Sequence, residues 1–176
     1  MAAGGNLVLV GFMGTGKTEV GRILSNLLDL PFVDIDDDIT SMTGMTINQI
    51  FNKHGEEYFR ALESEVISRY AGENGLVIAT GGGSLLRREN VVNLKKNGFL
   101  ICLAASPKEI QRRVKDKRHR PLLNVESPLG IIQKLLSGRS ESYKLADVEI
   151  NTEGKTPAAV AHEVILVCAQ VGITWK

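Results

Sequence analysis

The apolar run Leu7-Val8-Leu9-Val10 passes directly into Gly11-Phe12-Met13-Gly14-Thr15-Gly16-Lys17-Thr18. A stretch with Val20, Ile23, Leu24, Leu27 and Leu28 on one helical face follows. A strand apolar at every position needs cover on both faces. A helix leaving that strand returns the chain to a parallel neighbour, so the segment predicts an α/β fold. Its spacing is that of a phosphate-binding loop, Gly-x4-Gly-Lys-Thr, in the strand–loop–helix setting the motif requires. Glycines let the backbone turn tightly and aim N–H groups at phosphate oxygens, and the following helix presents its positive end to the same anions. Lys17 suits the β- and γ-phosphates, and the Thr18 hydroxyl is a hard oxygen ligand for Mg²⁺.

The rest of the chain repeats the alternation of short apolar runs and helical periodicity, without internal repeats or linkers. Leu76–Ala79 and Phe99–Leu103 read as covered strands, Pro31–Val33 as a shorter one, and Asp147–Ile150 alternates as an edge strand does. Helix starts are marked by Thr46, Ser106-Pro107, Ser127-Pro128 and Thr156-Pro157. A further helix is predicted over Glu56–Tyr70, with Phe59, Leu62, Val66 and Ile67 on one side, and a flap over the later part of the basic stretch Arg112–Arg120. A length of 176 residues suits one domain. With 21 basic against 20 acidic residues the chain lacks the basic excess of a dedicated nucleic-acid binder. No apolar run has the length of a membrane span, so the expectation is a soluble cytoplasmic protein. Cys102 and Cys168 read as small core residues, and His54 and His162 as structural.

Chemistry-bearing residues cluster after the predicted strands. Asp34, Asp36, Asp37 and Asp38 follow the second strand, on the rim where ligands bind in parallel sheets. In extended geometry Asp34 and Asp36 face one side. One could hold a metal through water while the other takes a substrate hydroxyl; alternatively all four are acids at a helix start. The third strand ends in Thr80 and Gly81-Gly82-Gly83, where many phosphate-loop enzymes carry a metal-binding Asp. That substitution moves metal support towards Asp34, and the glycines permit close approach of a ligand to the backbone. Arg60, Arg120 and Arg139 are candidates for bidentate carboxylate or phosphate recognition, although most arginines are solvated surface charges.

Taken together, these blocks resemble the shikimate kinase family. The phosphate loop, Asp34-Ile35-Asp36, Gly55-Glu56-Glu57-Tyr58-Phe59-Arg60, the triple glycine, Arg120-Pro121-Leu122-Leu123 and Arg139 with Tyr143 occur in the family's order. The resemblance implies a nucleoside-monophosphate-kinase-like fold, a single kinase domain with a five-stranded parallel sheet in order 2-3-1-4-5. Within it, a substrate-binding part would span about 34–62 and a lid about 112–126. It implies a monomer that binds neither nucleic acid nor membrane and transfers the γ-phosphate of ATP, with Mg²⁺, to the 3-hydroxyl of shikimate in aromatic amino-acid synthesis. Asp36, Arg60, Gly81, Gly82, Gly83 and Arg139 would hold shikimate. Gly14, Thr15, Gly16, Lys17, Thr18 and Glu19 would line the nucleotide, Thr18 and Asp34 would serve the metal, and Lys17, Asp36 and Arg120 the chemistry. Arg113 and Pro157 would flank the adenine, with Lys155 nearby. Thr40 stands where the family often has Glu, and Arg118-His119 is more basic than in many members. Rival readings are another small-molecule kinase of this fold, such as a gluconate kinase, and a catalytically silent nucleotide-binding homologue.

Overall fold

A computed structural model describes residues 5–115 and 128–175. The elements run β1 (Asn6–Val10), α1 (Lys17–Leu28), β2 (Phe32–Asp34), α2 (Ile35–Thr43), α3 (Ile47–Tyr70), β3 (Val77–Ala79), a 3₁₀ turn (Ser84–Leu86), α4 (Arg88–Asn97), β4 (Gly98–Ala104), α5 (Pro107–Val114), α6 (Pro128–Tyr143), β5 (Val148–Asn151) and α7 (Pro157–Gln170). The five strands pair in parallel in the order β2-β3-β1-β4-β5. The apolar run at the N-terminus is thus the central strand, and the alternating Val148–Asn151 lies at an edge, as its pattern predicts.

Alternation along β1 and β4 divides the core into two layers. Val8, Val10, Leu100 and Cys102 point to one face, where they meet Ile39, Ile50, Phe59, Val66 and Ile67 of α2 and α3 and Leu94 of α4. Leu7, Leu9, Ile101 and Leu103 point to the other, where Val20 and Leu24 of α1 and Val160, Val164 and Cys168 of α7 cover them. The two cysteines therefore lie on opposite faces of the sheet; both are free and buried. A third, smaller cluster joins Phe12 of the loop to Ile110 and Val114 of α5 and Ile132 of α6.

Most caps fall where the sequence places them. Thr46 forms a capping box with Gln49, and Ser106 and Thr156 accept from Glu109 N and Ala159 N ahead of a proline in the first turn. The Ser127 cap lies outside the described residues. Two expectations change. Leu27 is 48% exposed, so the buried stripe of α1 runs through Val20 and Leu24. His54 and His162 both sit on the surface, His54 against the Tyr58 ring. The helices at Ile47 and Glu56 abut across a kink at Gly55, φ 84° and ψ 172°, which redirects the chain between Phe51 and Phe59.

Candidate active site

Three strand ends build the site on one rim. At the end of β1 the loop takes φ of 130° at Gly11, 78° at Gly14 and 96° at Gly16, conformations that L side chains rarely adopt. Gly16 is the N-cap residue of α1, so that helix begins in the loop itself. The Thr15 hydroxyl donates to Phe12 O at 2.8 Å, bracing the turn. Lys17 is 9% exposed, and its Nζ donates to Gly11 O and Phe12 O at 2.9 and 3.0 Å. The ammonium is therefore held inside the loop's curve, where phosphate oxygens would compete for its protons.

At the end of β2, Asp34 is both the last strand residue and the N-cap of α2. Its Oδ1 accepts from Asp36 N at 3.1 Å, and its Oδ2 accepts from the Thr18 hydroxyl at 2.7 Å. This corrects the extended reading of Asp34-Ile35-Asp36: Asp36 lies in the first turn of α2 with Asp37 and Asp38, because Asp34 caps the helix there. Among the described residues no group of three or more His, Cys, Asp or Glu could hold a metal ion. The Thr18–Asp34 pair offers two hard oxygens, a donor set that suits Mg²⁺ completed by phosphate and water.

At the end of β3 the triple glycine is packed against by side chains from α2, α3 and α6. A Cβ on Gly81 would lie 2.4 Å from Glu63 Oε1 and 3.1 Å from Asp36 Oδ1. One on Gly83 would lie 2.4 Å from Arg60 Nη2, and one on Gly82 would lie 3.2 Å from Met13 N and 3.7 Å from Arg139 Nη1. The glycines are thus small because the protein's own site groups press on them. Asp36, Arg60 and Arg139, far apart in sequence, are brought around three consecutive residues next to the phosphate loop. Arg139 Nη1 donates to Gly82 O at 3.1 Å, and its guanidinium lies 5.4 Å from the Phe12 ring centroid.

Arg60 depends on two acids that sequence reasoning left without a role. Its Nη1 donates to Glu63 Oε2 at 2.7 Å, and its Nη2 lies 3.2 Å from Glu56 Oε1. Burial works against the charged guanidinium, but the coulombic pull of Glu63 leads the effects that raise its pKa. Glu63 is fully buried and also accepts from the Ser84 hydroxyl at 2.5 Å. Its position three residues after Arg60 on one helix was the available signal.

Gly14, Thr15, Gly16, Lys17, Thr18 and Glu19 share a cavity of about 390 Å³ with Arg113, Thr152, Lys155 and Pro157. Arg113 donates to Thr152 O and Thr152 Oγ1 at 2.8 and 3.0 Å, and to Gly14 O at 3.4 Å. Glu109 Oε1 accepts from Arg113 Nε at 2.7 Å. Lys155 pairs with Glu163 at 2.6 Å. Sequence reading assigned neither Glu109, seen there only as part of a helix start, nor Thr152 to the site. Arg120, with most of the predicted 112–126 lid, lies outside the described residues; Arg112 and Arg113 are helical, in α5.

A phosphate loop on the central strand, a hydroxyl–carboxylate pair beside it and a glycine-floored cluster of one aspartate and two arginines define a phosphate-loop kinase acting on a small molecule. The family model described as shikimate kinase matches residues 13–169. A shikimate kinase from Thermodesulfovibrio yellowstonii is 49% identical over 91% of this chain and 92% of its own length. The shikimate kinase from Acinetobacter baumannii, solved in complex with shikimate, superposes with a TM-score of 0.93 at 35% identity, covering 97% of this chain and 96% of that one. The chain belongs to the shikimate kinase family, ATP-dependent phosphotransferases with an alcohol acceptor. A gluconokinase from Sinorhizobium meliloti superposes at a TM-score of 0.58 with 17% identity, over 95% of this chain and 93% of that one, and so shares the fold alone.

Proposed function

We propose that this chain phosphorylates the 3-hydroxyl of shikimate from ATP, with Arg60 and Arg139 holding the carboxylate and Asp36 the reacting side of the ring. The observation that carries this reading is the triple glycine, against which Asp36, Arg60 and Arg139 converge beside the phosphate loop. A carboxylate between two guanidiniums is oriented as well as neutralised. The opposite end of the acceptor then faces Asp36 and the loop.

Asp36 orients the hydroxyl and takes its proton as the oxygen bonds to the γ-phosphorus and the bond to the β-phosphate oxygen breaks, releasing ADP. Phosphoryl transfer demands mainly alignment and charge neutralisation. Lys17, already inside the loop, supplies one positive charge, and Arg120 is assigned a second. Thr18 and Asp34 would hold Mg²⁺, which when bound neutralises β- and γ-phosphate oxygens. Arg113 and Pro157 take the adenine, with Lys155 nearby, and residues 112–126 act as a lid that keeps water from the phosphoryl group. The enzyme is assigned as a cytoplasmic monomer. Among the described residues no helix is long and apolar enough to cross a membrane.

The test is a coupled ADP-release assay with shikimate, quinate and gluconate, together with Asp36→Asn. Shikimate is expected to be turned over in strong preference. The variant is expected to lose at least about a hundredfold in turnover, the range of a positioned proton acceptor, while ATP affinity by calorimetry stays unchanged. Near-normal turnover by Asp36→Asn would remove Asp36 from this role, and equal rates on gluconate would refute the assigned acceptor.

A further inference from the structure

Tyr143 closes α6, four residues after Arg139 and therefore on the same helical face. Its hydroxyl donates to Gly82 O at 2.6 Å, the same carbonyl that accepts from Arg139 Nη1 at 3.1 Å. A carbonyl oxygen has two lone pairs, and both are engaged. The Gly82 peptide is thus pinned at one end by the last turn of α6, while its Cα faces Met13 N of the phosphate loop. The Tyr143 ring packs against both the core cluster under α3 and the one under Phe12, so the hydroxyl has little freedom to turn elsewhere. Burial pushes the phenol up to about 12, with Arg139 opposing in part, so the group stays protonated and able to donate across the working pH range.

We infer that Tyr143 is a positioning residue for the acceptor: through the Gly82 carbonyl it fixes the plane of the Arg139 guanidinium and the attitude of the triple-glycine backbone. Tyr143 itself reaches no reacting atom. The phenol and Arg139 Nη1 share the Gly82 carbonyl and also act on each other directly, side chain to side chain. Without the hydroxyl, Gly82 O keeps one donor. Arg139 can then rotate towards the lone pair set free, and the floor of the acceptor pocket loses its tie to α6. The effect belongs to acceptor binding, because the cavity beside the phosphate loop is lined by Arg113, Thr152 and Pro157, and Tyr143, Gly82 and Arg139 are not among its lining residues. This inference rests on the acceptor reading proposed above.

The test is steady-state kinetics of wild type, Tyr143→Phe and Tyr70→Phe with shikimate and ATP each varied. Tyr143→Phe keeps the ring and its packing. It is expected to raise the KM for shikimate about five- to tenfold, the value of one neutral hydrogen bond, while the KM for ATP stays within about twofold. Tyr70→Phe also removes a phenol hydroxyl, but one that donates to Asp38; it is expected to leave both constants within about twofold. A shikimate KM in Tyr143→Phe within twofold of wild type overturns the inference. So does a parallel rise in both constants, which would mark a general loosening. Wild type that fails to turn over shikimate sinks the acceptor reading, and the inference with it; active wild type with an unaffected variant sinks the inference alone.

Discussion

Glu63 has no solvent exposure, yet it carries an ionisable carboxyl between the Arg60 guanidinium and the Ser84 hydroxyl. Such a group is tolerable in a core only when its oxygens are paired, and removing its charge leaves the partner to find another. Glu63→Gln keeps the volume but cannot balance Arg60. We expect it to lower unfolding free energy by about 1–3 kcal/mol, the cost of a buried polar group left poorly satisfied, and to raise the KM for shikimate more than that for ATP. Urea denaturation read beside kinetics checks both, and an unchanged midpoint would show that Glu56 alone suffices for Arg60. Arg60 announces itself by its type and its neighbours, whereas a glutamate on a helix looks like surface charge until the fold buries it.

Among the helices, two glycines predict opposite signs. Gly55 breaks α3 with φ 84° and ψ 172°, and a Cβ there would meet nothing within 4 Å. The cost of Gly55→Ala is therefore backbone strain without a clash, about 1–3 kcal/mol. Gly138 is an exposed glycine inside α6, also with open space around a Cβ. There Gly138→Ala should stabilise by about 0.5–1 kcal/mol, because only unfolded-chain entropy and helix propensity change. Chemical denaturation of the two variants reads the difference; a stabilised Gly55→Ala would mean that the kink is not required. The sequence predicts separate helices starting at Ile47 and Glu56 but not how they join. Local periodicity says where apolar faces lie, while the kink arises because both faces must reach the same side of the sheet.

Considered as a whole, the molecule ties α5 to the phosphate loop and the β5–α7 loop through charges whose balance depends on pH. Bonds from Arg112, and secondarily Arg113, hold the Glu109 carboxyl down to about 2 from an ordinary 4.5. A carboxyl depressed in the folded state stabilises above its unfolded pKa and stops doing so as pH falls through its folded one. Wild type should thus exceed Glu109→Gln in melting temperature at neutral pH, and the gap should close as pH falls from about 4.5 to about 2. Melting curves across that window check it; a gap constant with pH would mean that packing of the side chain, not its charge, stabilises α5. The difference should be modest, because Arg112 is largely solvent-exposed.

The phosphate loop, the covered strands and most helix caps were legible in Leu7–Thr18 and in the short motifs because each is set by neighbours along the chain: φ at a glycine, a hydroxyl three residues from an N–H, an apolar period. The convergence of Asp36, Arg60 and Arg139 on Gly81–Gly83 came into the sequence reading through family resemblance, since no spacing along the chain encodes it. Asp36 entering a helix was one of two readings the four aspartates allowed, and the fold chose between them; Glu63 becoming a buried counter-charge, and Thr152 and Glu109 bracing Arg113, were legible in neither way. Those outcomes depend on which distant segments share a desolvated space, and burial decides whether a carboxylate is solvated decoration or an obligatory partner.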